Sequence, residues 1–109
     1  MVTLVHVDPP VLERLGAQIG PEDIARFHGK NSDAALRASK KVLTDAHISY
    51  RERRLVGDPG VRIAKVAKEE RPDLIVMGSH GRGALKSLFL GSIVTKTLAQ
   101  TRVPVLVVR

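Results

Sequence analysis

The chain has 109 residues, 43% of them hydrophobic, with 18 Lys and Arg against 11 Asp and Glu for a formal charge of +7, and it has no cysteine. That is enough chain for one domain with a modest core, and it excludes disulfide staples, thiolate catalysis and Cys-ligated metal. No apolar run approaches the ~18–20 residues of a membrane span and no charged-then-apolar leader precedes the first strand, so a cytoplasmic protein is expected.

In chain order, Val2–Val7 reads as the first strand. Residues 9–30 form a less regular connection, with Pro21-Glu22-Asp23 starting a short helix at 22–28. Asn31-Ser32-Asp33 then caps a helix running to Ala46, with Ala35, Ala38, Val42 and Ala46 on one stripe and Leu36 and Leu43 beside it. Ile48–Val56 alternates as a sheet edge does and carries the one local cation cluster, Arg51, Arg53 and Arg54. Asp58-Pro59 introduces a further helix, with Ile63, Val66 and Ala67 facing inward, that ends before Pro72. Leu74–Met77 and Val105–Val108 are continuous apolar runs, expected to be strands covered on both faces. Between them Gly91-Ser92 begins a helix in which Ile93 and Thr97, and Val94 and Leu98, pair at i,i+4. Such alternation of strand and helix implies an α/β fold, a doubly wound parallel sheet with right-handed crossovers, and one domain over residues 1–109.

The positive excess favours anionic partners, yet the cations are scattered from Arg14 to Arg109, which fits a solvated surface better than a nucleic-acid footprint. Phe27, Phe89 and Tyr50 are the only aromatic residues, too few for a base-stacking platform. His6, His28 and His47 show no paired ligand spacing, so no metal site is expected beyond Mg²⁺ arriving with a nucleotide.

Ligands of doubly wound sheets bind beyond the carboxyl ends of the strands, which directs attention to the loop after Leu74–Met77. It reads Gly78-Ser-His-Gly81-Arg-Gly83-Ala-Leu-Lys-Ser-Leu-Phe-Leu-Gly91-Ser92. Gly78 lets the chain leave the strand with no Cβ against a bound phosphate, and Gly81 takes positive φ at low cost, turning successive N–H groups toward one point. Gly91 and Ser92 lie at a helix N-terminus, where free N–H groups and the helix dipole favour an anion. The Ser92 hydroxyl can donate to a phosphate oxygen or cap its own helix. The pattern is neither a P-loop nor the dinucleotide fingerprint. On the residues alone, the glycines read equally well as turn and cap residues.

The spacing Gly78-x2-Gly81-x9-Gly91-Ser92 resembles the signature of the universal stress protein family, in its ATP-binding branch. Asp73-Leu-Ile-Val-Met-Gly-Ser-His-Gly before it and Val103-Pro-Val-Leu-Val-Val-Arg109 after it agree. So do Val2-Thr-Leu-Val-His-Val-Asp8, which resembles the family's second strand, and Gly57-Asp-Pro-Gly60, which resembles its turn into the third helix. The resemblance implies an adenine nucleotide alpha hydrolase-like fold and places Gly78, Gly81, Gly91 and Ser92 around the phosphates and ribose of ATP or AMP. It makes Met77, His80, Arg82, Ile93 and Val94 neighbours and brings Val7 toward the adenine. For His80 the alternative is an exposed imidazole with no duty, and for Arg82 and Lys86 a solvated role. The resemblance also implies a homodimer through the terminal strand Val105–Val108.

Family members start with a further strand ending near an Asp-Gly-Ser turn, followed by a long helix. Here Met1 begins at what resembles the second strand, so one β-α unit, on the order of 30–40 residues, is expected to be absent and four strands of the usual five present. A sheet ordered 3-2-1-4-5 would then lose its centre. Val2–Val7 must meet Leu74–Met77 directly, borrow a strand, or leave a gap, and the nucleotide loses an acidic partner. The expected function is that of a nucleotide-binding regulatory protein of the stress response with weak or no binding in this chain. The alternatives are a nucleotide-free interaction module and a slow ATP hydrolase. Asp8 and Asp58 approach the strands' carboxyl ends but read as turn formers, and no catalytic set is expected.

Overall fold

The computed structural model describes residues 1–11, 19–79 and 90–109. His80, Gly81, Arg82 and Lys86 therefore lie outside the described residues. The elements run β1 (Val2–Asp8), α1 (Pro21–Asp45), β2 (Tyr50–Val56), α2 (Pro59–Glu70), β3 (Ile75–Gly78), α3 (Ser92–Gln100) and β4 (Val105–Val108). This is the expected α/β alternation with parallel strands. The strands pair as two two-stranded sheets, β1 with β2 and β3 with β4. Among the described residues β1 does not pair with β3, so the direct meeting of these two strands is not taken. The chain divides into two compact units, Met1–Asp58 and Pro59–Arg109.

In the first unit β1 and β2 run parallel in unbroken register from Val2↔Tyr50 to Asp8↔Val56. The ladder is closed at its ends by Val2 N–H on the Ser49 carbonyl (3.1 Å) and by Gly57 N–H on the Asp8 carbonyl (2.9 Å). Gly57 holds φ 146°, a region that a Cβ makes costly, and this turns the chain out of β2.

The short helix and the capped helix predicted for residues 22–46 are one helix of 25 residues. Asn31-Ser32-Asp33 does not interrupt it. Ser32 is buried, and the Asn31 amide donates to Asp8, so neither side chain is spent on a helix start. The real start has Pro21 in the first turn with Glu22 and Asp23, where a fixed φ and negative charge suit the helix N-terminus. At the other end Ile48 N–H reaches the Leu43 carbonyl and His47 N–H the Thr44 carbonyl, a Schellman motif with His47 in the left-handed region at φ 56°. Ile48 thus closes α1, and β2 begins two residues later than expected.

The buried stripe of α1 is Ser32, Leu36 and the half-buried Leu43. The predicted stripe is displaced, because Ala38, Val42 and Ala46 are exposed. The opposite flank is tied to β2 by Lys40 to Glu52 and Asp33 to Arg54, each at 2.6 Å, while Arg54 also reaches Glu52 at 3.0 Å.

The second unit packs α2 against α3. Gly60, Ala64, Val66, Ala67, Val94 and Thr97 are its buried residues among those described, and Ile63 is half-buried. The Thr97 hydroxyl satisfies itself on the Ile93 carbonyl at 2.8 Å. Closeness of the two helices rests on Gly60, where an added Cβ would lie 2.7 Å from Lys96 Cβ, an atom fixed to the α3 backbone. Gly60→Val is therefore expected to destabilise the protein by about 1–3 kcal/mol through overpacking, more than the helix gains from losing a glycine. Urea unfolding checks this, and an unchanged midpoint would contradict the close approach.

β3 and β4 pair from Ile75↔Val105 to Gly78↔Val108. They were expected to be covered on both faces. Instead burial alternates, and Val76, Leu106 and Val108 stand 60%, 51% and 50% exposed. A pair of strands has one covered face here, so the apolar run overstates its burial. Among the described residues no helix is long and apolar enough to cross a membrane.

Candidate functional site

The site begins where β3 ends. The pairing with β4 continues one residue past Gly78, with Ser79 N–H donating to the Val108 carbonyl at 2.8 Å. The Ser79 carbonyl then accepts Gly91 N–H, also at 2.8 Å. The chain leaves the strand at Ser79 and is back against the same residue at Gly91, so the long excursion between the glycines returns to its origin. Gly78, Gly91 and Ser92 are brought together at the carboxyl end of β3, as the spacing suggested.

α3 starts there in a form suited to an anion. Gly91 is the N-cap, in extended conformation (φ −62°, ψ 157°), and no side chain caps the helix. Thr95 closes the first turn with both its N–H and its hydroxyl on the Gly91 carbonyl, each at 3.1 Å. The N–H groups of Ser92, Ile93 and Val94 consequently have no acceptor within the helix, and they point along the positive end of its dipole. No acidic residue occupies the first turn to compete for them. The Ser92 side chain is exposed and is not the cap, which leaves its hydroxyl available to a phosphate oxygen. Val94 is 2% exposed, so its side chain anchors the helix and only its backbone can serve a ligand. Met77 and Ile93 are half-buried. Gly91 sits at a φ open to any residue, so backbone conformation does not explain glycine there.

This donor set fits a polyphosphate: backbone N–H groups, a hydroxyl and a helix N-terminus. It offers no carboxylate for Mg²⁺, which would come held by the phosphates themselves. When bound, a nucleotide would bring the charge that these groups are arranged to meet.

The other polar cluster lies at the carboxyl end of β1, in the first unit. Asp8 is 5% exposed and receives three donors: Asn31 Nδ2 at 2.9 Å and His28 Nδ1 at 2.6 Å on Oδ2, and His6 Nε2 at 3.2 Å on Oδ1. Burial pushes the Asp8 carboxyl up, but the bonds from Asn31, His28 and His6 outweigh it and hold the group below the usual carboxylate range. An ionised carboxylate has no proton to give, so His28 Nδ1 and His6 Nε2 each carry the hydrogen. Asp8 was read as a turn former. It is a buried acceptor that fastens the end of β1 to the middle of α1. Val7, named for adenine contact, is buried beside it at 9% exposure. Among the described residues no three His, Asp or Glu side chains are placed to hold a metal ion.

The sequence profile of the universal stress protein family matches residues 1–109. Among curated relatives, universal stress protein MJ0577 of Methanocaldococcus jannaschii is 40% identical over 70 residues, covering 64% of this chain and 43% of that protein. A universal stress protein of Thermus aquaticus, encoded in the QAH/OAS sulfhydrylase 3′ region, is 39% identical over 108 residues, covering 97% of this chain and 75% of that protein. The solved structure of MJ0577 superposes with a TM-score of 0.75 at 28% identity, and that of the hypothetical protein PH0823 with 0.73 at 31%. Each covers 98% of this chain, which spans 73% of theirs. The alignment with the first relative thus takes in less than half of that protein's length.

Proposed function

The chain belongs to the universal stress protein family, and on that premise we propose that it is a regulatory protein that binds ATP or AMP through the Gly78–Ser92 loop. The observation that carries the reading is the hydrogen bond from Gly91 N–H to the Ser79 carbonyl. It gathers the end of β3 and the N-terminus of α3 into one place, with three backbone donors and the Ser92 hydroxyl directed outward. His80, Gly81 and Arg82 belong to the same loop by sequence and complete the proposed phosphate contacts.

Binding is expected to be weak, through backbone N–H groups and an exposed hydroxyl that water can also reach. Chemistry on the phosphates would be slow at most, since among the described residues no base is placed at this helix start. The proposed assembly is a homodimer through β4. The bonds from Ile75 N–H to the Pro104 carbonyl and from Ser79 N–H to the Val108 carbonyl turn the backbone groups of Val105 and Val107 to the edge away from β3, where a second copy can pair.

Calorimetric titration with ATP and AMP, with and without Mg²⁺, tests the ligand. A dissociation constant in the micromolar to millimolar range is expected, about −8 to −4 kcal/mol. No heat at millimolar nucleotide, with the protein folded, would leave the interaction module as the better reading. Light scattering on the same samples, expected to give twice 11.9 kDa, tests the dimer.

A further inference from the structure

α1 is longer than the strands it covers. Going backward along it, Lys40 meets Glu52, Asp33 meets Arg54, and Asn31 and His28 meet Asp8. In the register of the pair, those partners step toward the carboxyl ends, where Asp8 and Val56 are the last residues. Residues 21–27 of the helix therefore project beyond the strands, by about 10 Å at about 1.5 Å per residue. That is the end at which parallel α/β layers take their ligands.

Packing and sequence both divide α1 near the same point. Its buried residues are Ser32 and Leu36, and none from residue 21 to residue 31 is buried. Phe27 is 53% exposed. Among the described residues, the side-chain hydrogen bonds from this stretch to the strands come from His28 and Asn31, and both end on the Asp8 carboxylate. Gly29 lies between the two donors. A Cβ there would have nothing within 4 Å, so no close approach calls for a glycine that weakens the helix. Beyond Lys30 comes Asn31-Ser32-Asp33, with the composition of a helix start.

We propose that residues 21–30 are a lid over the carboxyl end of β1, latched by Asp8 and hinged at residues 29–31. Closed, α1 starts at Pro21. Open, it starts at Ser32: the hydroxyl takes the Ala35 N–H, and the carbonyl keeps the Leu36 N–H. Asp33 then enters the first turn, where its charge suits the helix dipole, and remains paired with Arg54. The Lys40–Glu52 pair and the buried Leu36 stay in place, so opening does not unfold the unit. Closing gains the two bonds at Asp8, whereas opening gains a cap and the conformational freedom of the released residues. Asp8 thus sets the position of the lid. Opening uncovers its carboxylate, 5% exposed when the lid is closed.

Native-state amide exchange of the whole chain, followed by NMR at urea concentrations below the unfolding transition, tests the lid. Amides of residues 25–30 are expected to exchange through an opening that urea hardly changes, at least about tenfold faster than those of residues 36–43, whose exchange follows urea. Asp8→Asn, which keeps the shape of the side chain, should widen that ratio by about tenfold or more. Gly29→Ala should narrow it by about fivefold, since alanine favours the helix and meets nothing there. An Asp8 that merely stabilises the unit would speed both sets together in its variant and leave their ratio unchanged. Amides of residues 25–30 as well protected as those of 36–43, with the same urea dependence, would overturn the proposal. So would a ratio indifferent to either substitution.

Discussion

Asp8→Ala is expected to lower the free energy of unfolding by about 2–4 kcal/mol. The substitution removes one acceptor and strands three donors. His28 Nδ1 and Asn31 Nδ2, whose partner atom is Oδ2, sit on α1, and His6 Nε2 sits on β1, so the fastening between the two elements goes with them. The side chains of His6 and His28 are 20% and 13% exposed, so water can reach them only in part, which places the loss just under that for a fully buried ion pair. Asp8→Asn keeps one acceptor and the shape, and is expected to cost about half as much.

The same cluster predicts a pH dependence. The Asp8 carboxyl is held lower in the folded chain than in the unfolded one, so its contribution is complete above the unfolded value of about 4 and is lost as pH falls through the folded value. Urea midpoints of the parent and of Asp8→Ala should therefore stand apart at pH 7 and converge below about pH 4. A constant gap across that range, or a gap under about 1 kcal/mol at pH 7, would show that the carboxylate carries no such role.

The order of elements was legible because Val-rich runs and Gly/Pro punctuation are local signals. β4 and the start of α3 fall where the sequence places them, and β3 is displaced by one residue. What misled was polar chemistry that serves tertiary structure. Asn31-Ser32-Asp33 carries the composition of an N-cap, and a cap at that point divides α1 in two. Once the helix is continuous, His28 and Asn31 fall on one face at i,i+3, and His6 and Asp8 already share a strand face at i,i+2. The four polar residues then meet through contacts 20 and 23 residues apart in the chain, which no window of local sequence contains. The predicted stripe of α1 failed for a related reason. Its apolar residues mark two surfaces, one with Leu36 and Leu43 turned inward and one with Ala38, Val42 and Ala46 exposed, and periodicity alone averages them. Of the loop, the structure gives the two ends, joined by the Gly91 N–H bond to the Ser79 carbonyl.

Ser92→Asp is expected to weaken ATP binding by at least about tenfold while leaving the protein as stable as the parent or more so. The two effects have opposite signs for one reason. Ser92 opens α3, where the free N–H groups of the first turn and the helix dipole attract negative charge, and no side chain supplies it at present. An aspartate there serves the helix by about 0.3–1 kcal/mol at an exposed position. It also takes the place proposed for the phosphate and repels a triphosphate at short range, worth about 1 kcal/mol per charge pair even in water and more where solvent is partly excluded. A merely structural serine would show the gain in stability with no change in affinity, because the side chain is exposed and caps nothing. Thermal unfolding and calorimetric titration of the same preparation separate the cases. Ser92→Ala supplies the scale between them, removing one hydroxyl donor and leaving the N–H groups of Ser92, Ile93 and Val94 in place. Its loss should be smaller, about two- to tenfold, as expected for one hydrogen bond to a charged group that water can replace in part. If Ser92→Asp bound ATP as the parent does, the N-terminus of α3 would not be where the phosphates lie, whatever the loop's spacing resembles.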